Sequence, residues 1–232
     1  MPYQWILFDA DNTLLDFTGA SQKAFAQASQ LLEIPAQPDH FQRYKQANHI
    51  VWAALEKGQI DTVTLRKKRF ELYLKDIQVD RDPVLFNKLY LDNLVRFSEL
   101  LAGADSLLQH FHGRVKLGLI TNGLKEVQRP RLDHTGITKY FDVIVVSDEI
   151  GLAKPDPAYF DHAFQLMNKP NKKDVLIVGD NLMSDIKGGV DYQTDTCWYN
   201  PSGKPNDTDI IPTLQINQLE ELIDATTFDS LV

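Results

Sequence analysis

A chain of 232 residues suffices for one large domain or two modest ones. Its 43% apolar and 24% charged residues are ordinary for a soluble globular protein. A net charge of −8 argues against a nucleic-acid groove, which needs a basic face, yet leaves small phosphorylated substrates open. The one cysteine, Cys197, stands in the apolar setting Thr196-Cys197-Trp198-Tyr199 and cannot form an internal disulfide. It fits a reducing, cytoplasmic location and is not read as a nucleophile. The N-terminus enters a strand at once, without the basic start and apolar core of a secretory signal. No apolar run approaches the ~20 residues of a membrane span. Neither a membrane nor a nucleic-acid partner is expected, and the oligomeric state is left open.

Residues 3–9 read as a strand buried on both faces. It ends in Asp9-Ala10-Asp11-Asn12-Thr13-Leu14, with two carboxylates one residue apart after the apolar run Trp5-Ile6-Leu7-Phe8. An unpaired buried carboxylate costs several kcal/mol or shifts its pKa, so a metal ion is a natural partner. A pair of helix-capping aspartates is the plainer alternative.

The next 80 or so residues, 17–98, hold more chain than a single crossover needs, about a dozen residues. They read as helices. Ala24, Phe25, Ala28, Leu31 and Leu32 share one helical face. Phe41, Tyr44, Val51, Trp52 and Leu55 suggest a second helix. Leu65, Phe70, Leu72, Tyr73 and Ile77 give a third, and Leu85, Leu89, Leu94 and Phe97 a fourth. Gly58-Gln59-Ile60-Asp61 breaks the run, and Pro35 to Pro38 and Asp82-Pro83 mark helix boundaries. Trp52 lies with Leu55 and reads as core, while Arg66-Lys67-Lys68-Arg69 reads as a solvated helix face.

Beyond residue 99, strands at 115–120, 141–146, 175–178 and 195–199 alternate with helices at about 103–112, 123–134, 157–167 and 183–191. A loop at 201–210 precedes a last strand and helix. This alternation implies a doubly wound parallel sheet, an α/β Rossmann-type core, with a helical domain inserted after its first strand. The expected boundaries are 1–16 and 99–232 for the core and 17–98 for the insert.

In such sheets ligands bind at the carboxyl ends of the strands. The first strand is followed by Asp9 and Asp11, the second by Thr121-Asn122-Gly123, and the third, after a short loop, by Ala153-Lys154-Pro155-Asp156-Pro157. The fourth is followed by Gly179-Asp180-Asn181-Leu182-Met183-Ser184-Asp185. Taken singly, Thr121-Asn122-Gly123 suits a turn and helix cap, Lys154 a loop lysine, and Asp180 and Asp185 a helix start. Together, in order and at the same end of each strand, they suit a phosphate and a hard cation. The six histidines are scattered without ligand spacing, which speaks against zinc.

These four stretches, DADNTL, ITNG, KPDP and GDNLMSD, resemble the four motifs of the haloacid dehalogenase superfamily, and the resemblance covers nearly the whole chain. The insert sits where that family carries its cap domain. Within the family the chain is most similar to the pyrimidine 5'-nucleotidase branch, through the first motif, Trp52, Gly58, Ile60, Leu65, Arg69, Phe70 and Cys197-Trp198.

The resemblance implies a Mg2+-dependent phosphatase for nucleoside 5'-monophosphates. Asp9 would be the nucleophile, and Asp11 the acid and base that also offers its backbone carbonyl to the metal. Thr121, Asn122 and Lys154 would bind the phosphoryl group. Asp180 would ligate Mg2+, with Asp185 beside it or in an outer position. Asp11 favours an oxygen leaving group over a halide. Asn12 departs from the glycine common at that place. Phosphoglycolate or sugar-phosphate hydrolysis, 2-haloacid dehalogenation and non-catalytic phosphate binding are the alternatives. Asn48, Trp52, Arg66 and Arg69 are the insert's candidates for choosing the leaving group.

Overall fold

The structure, a computed structural model, describes residues 3–227. The chain divides into two compact units, Phe17–Ser98 and the remainder on either side of it. It opens with strand β1 (Trp5–Phe8). The helical unit follows as α1 (Phe17–Leu31), α2 (His40–Glu56), α3 (Thr62–Asp76) and α4 (Pro83–Arg96). The second unit then continues with α5 (Ala104–Phe111), β2 (Lys116–Thr121), α6 (Lys125–His134), β3 (Val143–Val146) and α7 (Ser147–Ile150). It closes with α8 (Pro157–Leu166), β4 (Val175–Gly179), α9 (Lys187–Asp191), β5 (Asp195–Tyr199), β6 (Leu214–Ile216) and α10 (Glu221–Thr227).

Among the described residues, six strands form one parallel sheet in the order β3-β2-β1-β4-β5-β6. Alternate residues of β1 point to opposite faces, as the strand repeat requires. Ile6 and Phe8 join the core that includes Leu107, Phe111, Leu119 and Val178. Trp5 and Leu7 join the other, with Tyr159, Phe160 and Ile177. Both faces are therefore covered, and the fold is the doubly wound α/β arrangement. Phe8 stands level with Leu119 of β2 and Val178 of β4, so the carboxyl ends of these three strands lie side by side. Connections on the two sides of β1 diverge at this edge, where such sheets bind ligands.

Capping fixes several helix starts. The Asp61 carboxylate accepts from the Thr64 amide at 2.7 Å, and Asp82 and Asp156 do the same ahead of Pro83 and Pro157. One start differs from the sequence pattern. The segment after β4 begins as a π-helical turn over Leu182–Ile186 before α9, and Asn181 accepts from the amides of Met183 and Ser184.

The helical unit packs around aromatic rings. Phe70 stacks on Phe86 at 4.4 Å and on Tyr44 at 5.1 Å, and Phe25 stacks on Tyr44 at 5.0 Å. Helix α4 thus turns Phe86, Tyr90, Leu91 and Leu94 inward, while Leu85 is exposed and Leu89 half-buried. Rings bury more surface each and displace the leucine stripe. Leu31 is likewise exposed.

Arg69 corrects the solvated-face reading of its helix. It is 3% exposed, with its guanidinium over the Phe70 and Tyr90 rings and a 2.6 Å bond to Asn87 Oδ1. Lys67 and Lys68 do face solvent, and Trp52 and Leu55 are half-buried. Among the described residues, no helix is long and apolar enough to cross a membrane.

Candidate active site

Asp9 leaves β1 with its backbone amide bonded to the Val178 carbonyl, which ties the first turn to β4. Its carboxylate Oδ1 accepts from Lys154 Nζ at 2.7 Å, and its Oδ2 from Thr13 Oγ1 at 3.2 Å. Lys154 is 3% exposed and spends its three ammonium protons on Asp9, Asp185 Oδ1 and the Ile120 carbonyl, each at 2.7 Å. The Asn122 side chain holds Lys154 from the other side. Its Nδ2 donates to the Lys154 carbonyl and its Oδ1 accepts from the Lys154 amide, both at 2.8 Å. Asn122 therefore acts on the lysine's backbone, a role a turn motif does not announce.

Asp9, Asp180 and Asp185 each bring a carboxylate oxygen to within 4.8 Å of the other two. Two glycines make room at this site. A Cβ on Gly179 would run into the Asp185 carboxylate, and one on Gly123 into the Gln128 amide. Asp185 is further held by the Asn181 amide at 3.1 Å and Ser184 Oγ at 3.3 Å. The Asp180 amide bonds Thr13 Oγ1 at 3.1 Å, and its carbonyl accepts from Trp198 Nε1 at 3.0 Å.

Three carboxylates facing one ammonium leave an excess of negative charge. Burial pushes the Asp9 carboxyl well above its ordinary range, only partly offset by Lys154, and Asp185 and Asp180 add to the rise. Burial, with Asp185 next, pushes Asp180 up to about 7. Burial alone would lower the Lys154 ammonium, yet the attraction of Asp185 and Asp9 holds it above its usual range. A hard divalent cation is what such an all-oxygen set suits. The convergence of the three carboxylates and the raised proton affinity of Asp9 and Asp180 both fit one.

Asp11 points elsewhere. Its Oδ1 accepts from Arg131 Nη1 at 2.5 Å and its Oδ2 from Gln128 Nε2 at 2.9 Å. Gln128 Nε2 also donates to Thr121 Oγ1 at 2.7 Å. Asn12, between the two aspartates, has φ 60°, the left-handed region that favours glycine and that asparagine tolerates best among other residues. This explains how asparagine can stand where the family commonly has glycine.

The structure thus gathers Asp9, Lys154, Asp180 and Asp185 at one edge, and links Asp11 to Thr121 through Gln128. Thr13, Gln128 and Arg131 escape the motif reading. The signals for them are a hydroxyl four residues after Asp9, and a Gln and Arg three apart on the helix that follows Thr121-Asn122-Gly123. Cys197 is buried, and burial pushes its thiol up to about 12, as suits a packing residue.

With sheet, strand-end chemistry and acid cluster in place, the class is a hydrolase of the doubly wound α/β type. Residues 3–191 match the family model for haloacid dehalogenase-like hydrolases. The chain belongs to that family. It is 36% identical to pyrimidine 5'-nucleotidase YjjG of Escherichia coli K12, over 96% of this chain and 97% of that protein. It is 31% identical to pyrimidine 5'-nucleotidase PynA of Streptococcus pneumoniae R6, over 97% and 95% of the two chains. Among solved structures, the putative HAD-hydrolase YfnB of Bacillus subtilis, bound to magnesium, superposes with a TM-score of 0.90 at 35% identity. That match covers 98% of this chain and all of YfnB.

Proposed function

We propose that the protein is a Mg2+-dependent phosphoric monoester hydrolase acting on nucleoside 5'-monophosphates, with a pyrimidine preference. The carrying observation is Asp9, buried at the end of β1 with its Oδ1 on Lys154 and flanked by Asp180 and Asp185. The nucleotide assignment draws on the similarity to YjjG and PynA. Asp9, Asp180, Asp185 and the Asp11 backbone carbonyl would hold the ion. When bound, Mg2+ supplies the positive charge that lets a phosphate approach this acidic edge.

The chain's own groups carry the rest. Asp9 attacks phosphorus in line, forming a carboxyl–phosphate bond as the bond to the ester oxygen breaks. Asp11 gives a proton to that departing oxygen. It then takes one from the water that attacks the aspartyl-phosphate, which returns Asp9 as a carboxylate and releases phosphate. Lys154 neutralises charge on the transferring group and on Asp9, and the Thr121 hydroxyl, with backbone amides around Asn122, positions it. Asp11 is the reason to favour esters over halides, since a halide leaves without a proton. The helical unit is read as the cap that chooses the leaving group, and a cytoplasmic setting belongs to the same proposal.

The test is a phosphate-release screen of purified protein with Mg2+ over nucleotides, phosphoglycolate and sugar phosphates. Highest kcat/KM on pyrimidine monophosphates is expected. Silence on all nucleotides with good turnover of another ester would transfer the assignment to that ester, and halide release from a 2-haloacid would overturn it.

A further inference from the structure

Two carboxylates one residue apart would ordinarily compete for the same cation, yet here they meet different ones. Asp9 is met by Lys154 and Asp11 by Arg131. Arg131 is 1% exposed and Gln128 2%, three residues apart on α6 and so on one face of it. Burying a guanidinium is costly unless its geometry is put to use. The use is visible in the bonds it makes. One Arg131 nitrogen, Nη1, donates to both Asp11 Oδ1 and Gln128 Oε1, the latter at 2.8 Å.

An arginine can only donate, so the Gln128 oxygen must face it and the Gln128 NH2 group must face away. That NH2 group then donates to both Asp11 Oδ2 and Thr121 Oγ1. Thr121 accepts from Gln128, which leaves its own hydroxyl proton to be given to another acceptor. A chain of fixed donors therefore runs from Arg131 through Gln128 to two groups at different strand ends. Gly123 is part of the same construction, since any side chain there would occupy the place of the Gln128 amide.

We propose that Gln128 and Arg131 are positioning residues for the hydrolysis. They hold the Asp11 carboxyl off Asp9 and beside Thr121, and they turn the Thr121 hydroxyl proton toward the transferring phosphoryl group. The proposal rests on the phosphatase reading. Neither residue touches the reacting phosphorus in this role. Both act through Asp11 and Thr121.

The consequence is a dependence on the leaving group. An alkyl oxygen, as in a nucleoside 5'-monophosphate, needs a well-placed proton donor when it departs, whereas 4-nitrophenolate departs without one. The experiment measures kcat and KM with Mg2+ for a pyrimidine nucleoside 5'-monophosphate, or the best alkyl ester in the screen, and for 4-nitrophenyl phosphate. Parent, Gln128→Leu, Arg131→Met and Arg131→Lys are compared. Gln128→Leu keeps the Arg131–Asp11 pair and guards against a variant that fails to fold.

The expected result is a kcat on the alkyl ester that falls about 10- to 100-fold more than kcat on the aryl ester, with KM for the alkyl ester little changed. Arg131→Lys should fall between, because a lysine lacks the planar fork of donors. Equal losses on both esters in every folded variant would overturn the placing of Asp11 as proton donor, and no loss on either ester would overturn the positioning role as a whole. A parent inactive on both esters would instead overturn the phosphatase reading and this proposal with it.

Discussion

Replacing Lys154 by methionine keeps much of the side-chain volume and removes the cation that Asp9 and Asp185 share. Both of those contacts are 2.7 Å long, and both carboxylates are buried. Breaking a buried pair by deleting one partner costs about 3–5 kcal/mol, since the other charge stays behind. For a chain of this size each kcal/mol moves the melting midpoint by about 2–4 °C, which gives a loss of roughly 6–20 °C. The penalty should grow with pH, because Asp9 can escape it by binding a proton. The assay is thermal unfolding of metal-free protein at pH 5 and pH 8, followed by the fluorescence of the buried Trp5 and Trp198. Lys154→Met should lose more at pH 8 than at pH 5, and the Lys154→Met/Asp185→Asn double variant should recover part of the loss. A midpoint within about 2 °C of the parent at pH 8, or equal losses at both pH values, would refute the charge argument.

Other outcomes follow from the same geometry. Because Asp180 is raised to about 7 from an ordinary carboxyl value, the folded state binds its proton more tightly than the unfolded chain. Its contribution favours folding at acidic pH and is lost as pH rises toward 7, so metal-free protein should lose stability across that window. Mg2+ should offset the loss, by about 2.7 kcal/mol at a hundred times its Kd, and the stabilisation should be larger at pH 8 than at pH 5 in a melting series. Gly179→Ala places a Cβ where the Asp185 carboxylate stands, so it should cost about 1–3 kcal/mol in denaturant unfolding and weaken Mg2+ binding by calorimetry. Cys197, buried and with its thiol pushed up to about 12, should resist alkylation by iodoacetamide until the protein unfolds.

The sheet and the strand-end chemistry are legible in the sequence because both are local. An apolar run that ends in acid or hydroxyl declares a strand and its functional end together, as Phe8 to Asp9 and Ile120 to Thr121 show. What stays hidden depends on distant neighbours. Gln128 and Arg131 sit in a helix where the sequence pattern marks no partner for them, and only the fold brings them against Asp11, 117 and 120 residues away. Arg69 is hidden for the same reason, since its basic neighbours Lys67 and Lys68 do face water. Leu85 and Leu31 mislead in the opposite sense, because a leucine stripe is a weaker claim on a helical core than Phe86 and Tyr90 nearby. Thr13 carries a hydroxyl that any turn might hold, and its use between Asp9 and Asp180 needs β1 and β4 paired.

The covalent role of Asp9 is tested most directly by turnover of a pyrimidine nucleoside 5'-monophosphate labelled in its phosphate, with Mg2+, by parent and Asp9→Asn. Parent should release phosphate, and acid-quenched samples should carry protein-bound label that hydroxylamine removes. Asp9→Asn should do neither while keeping a folded melting curve. Phosphate release by Asp9→Asn at the parental rate would contradict the assignment of Asp9 as nucleophile.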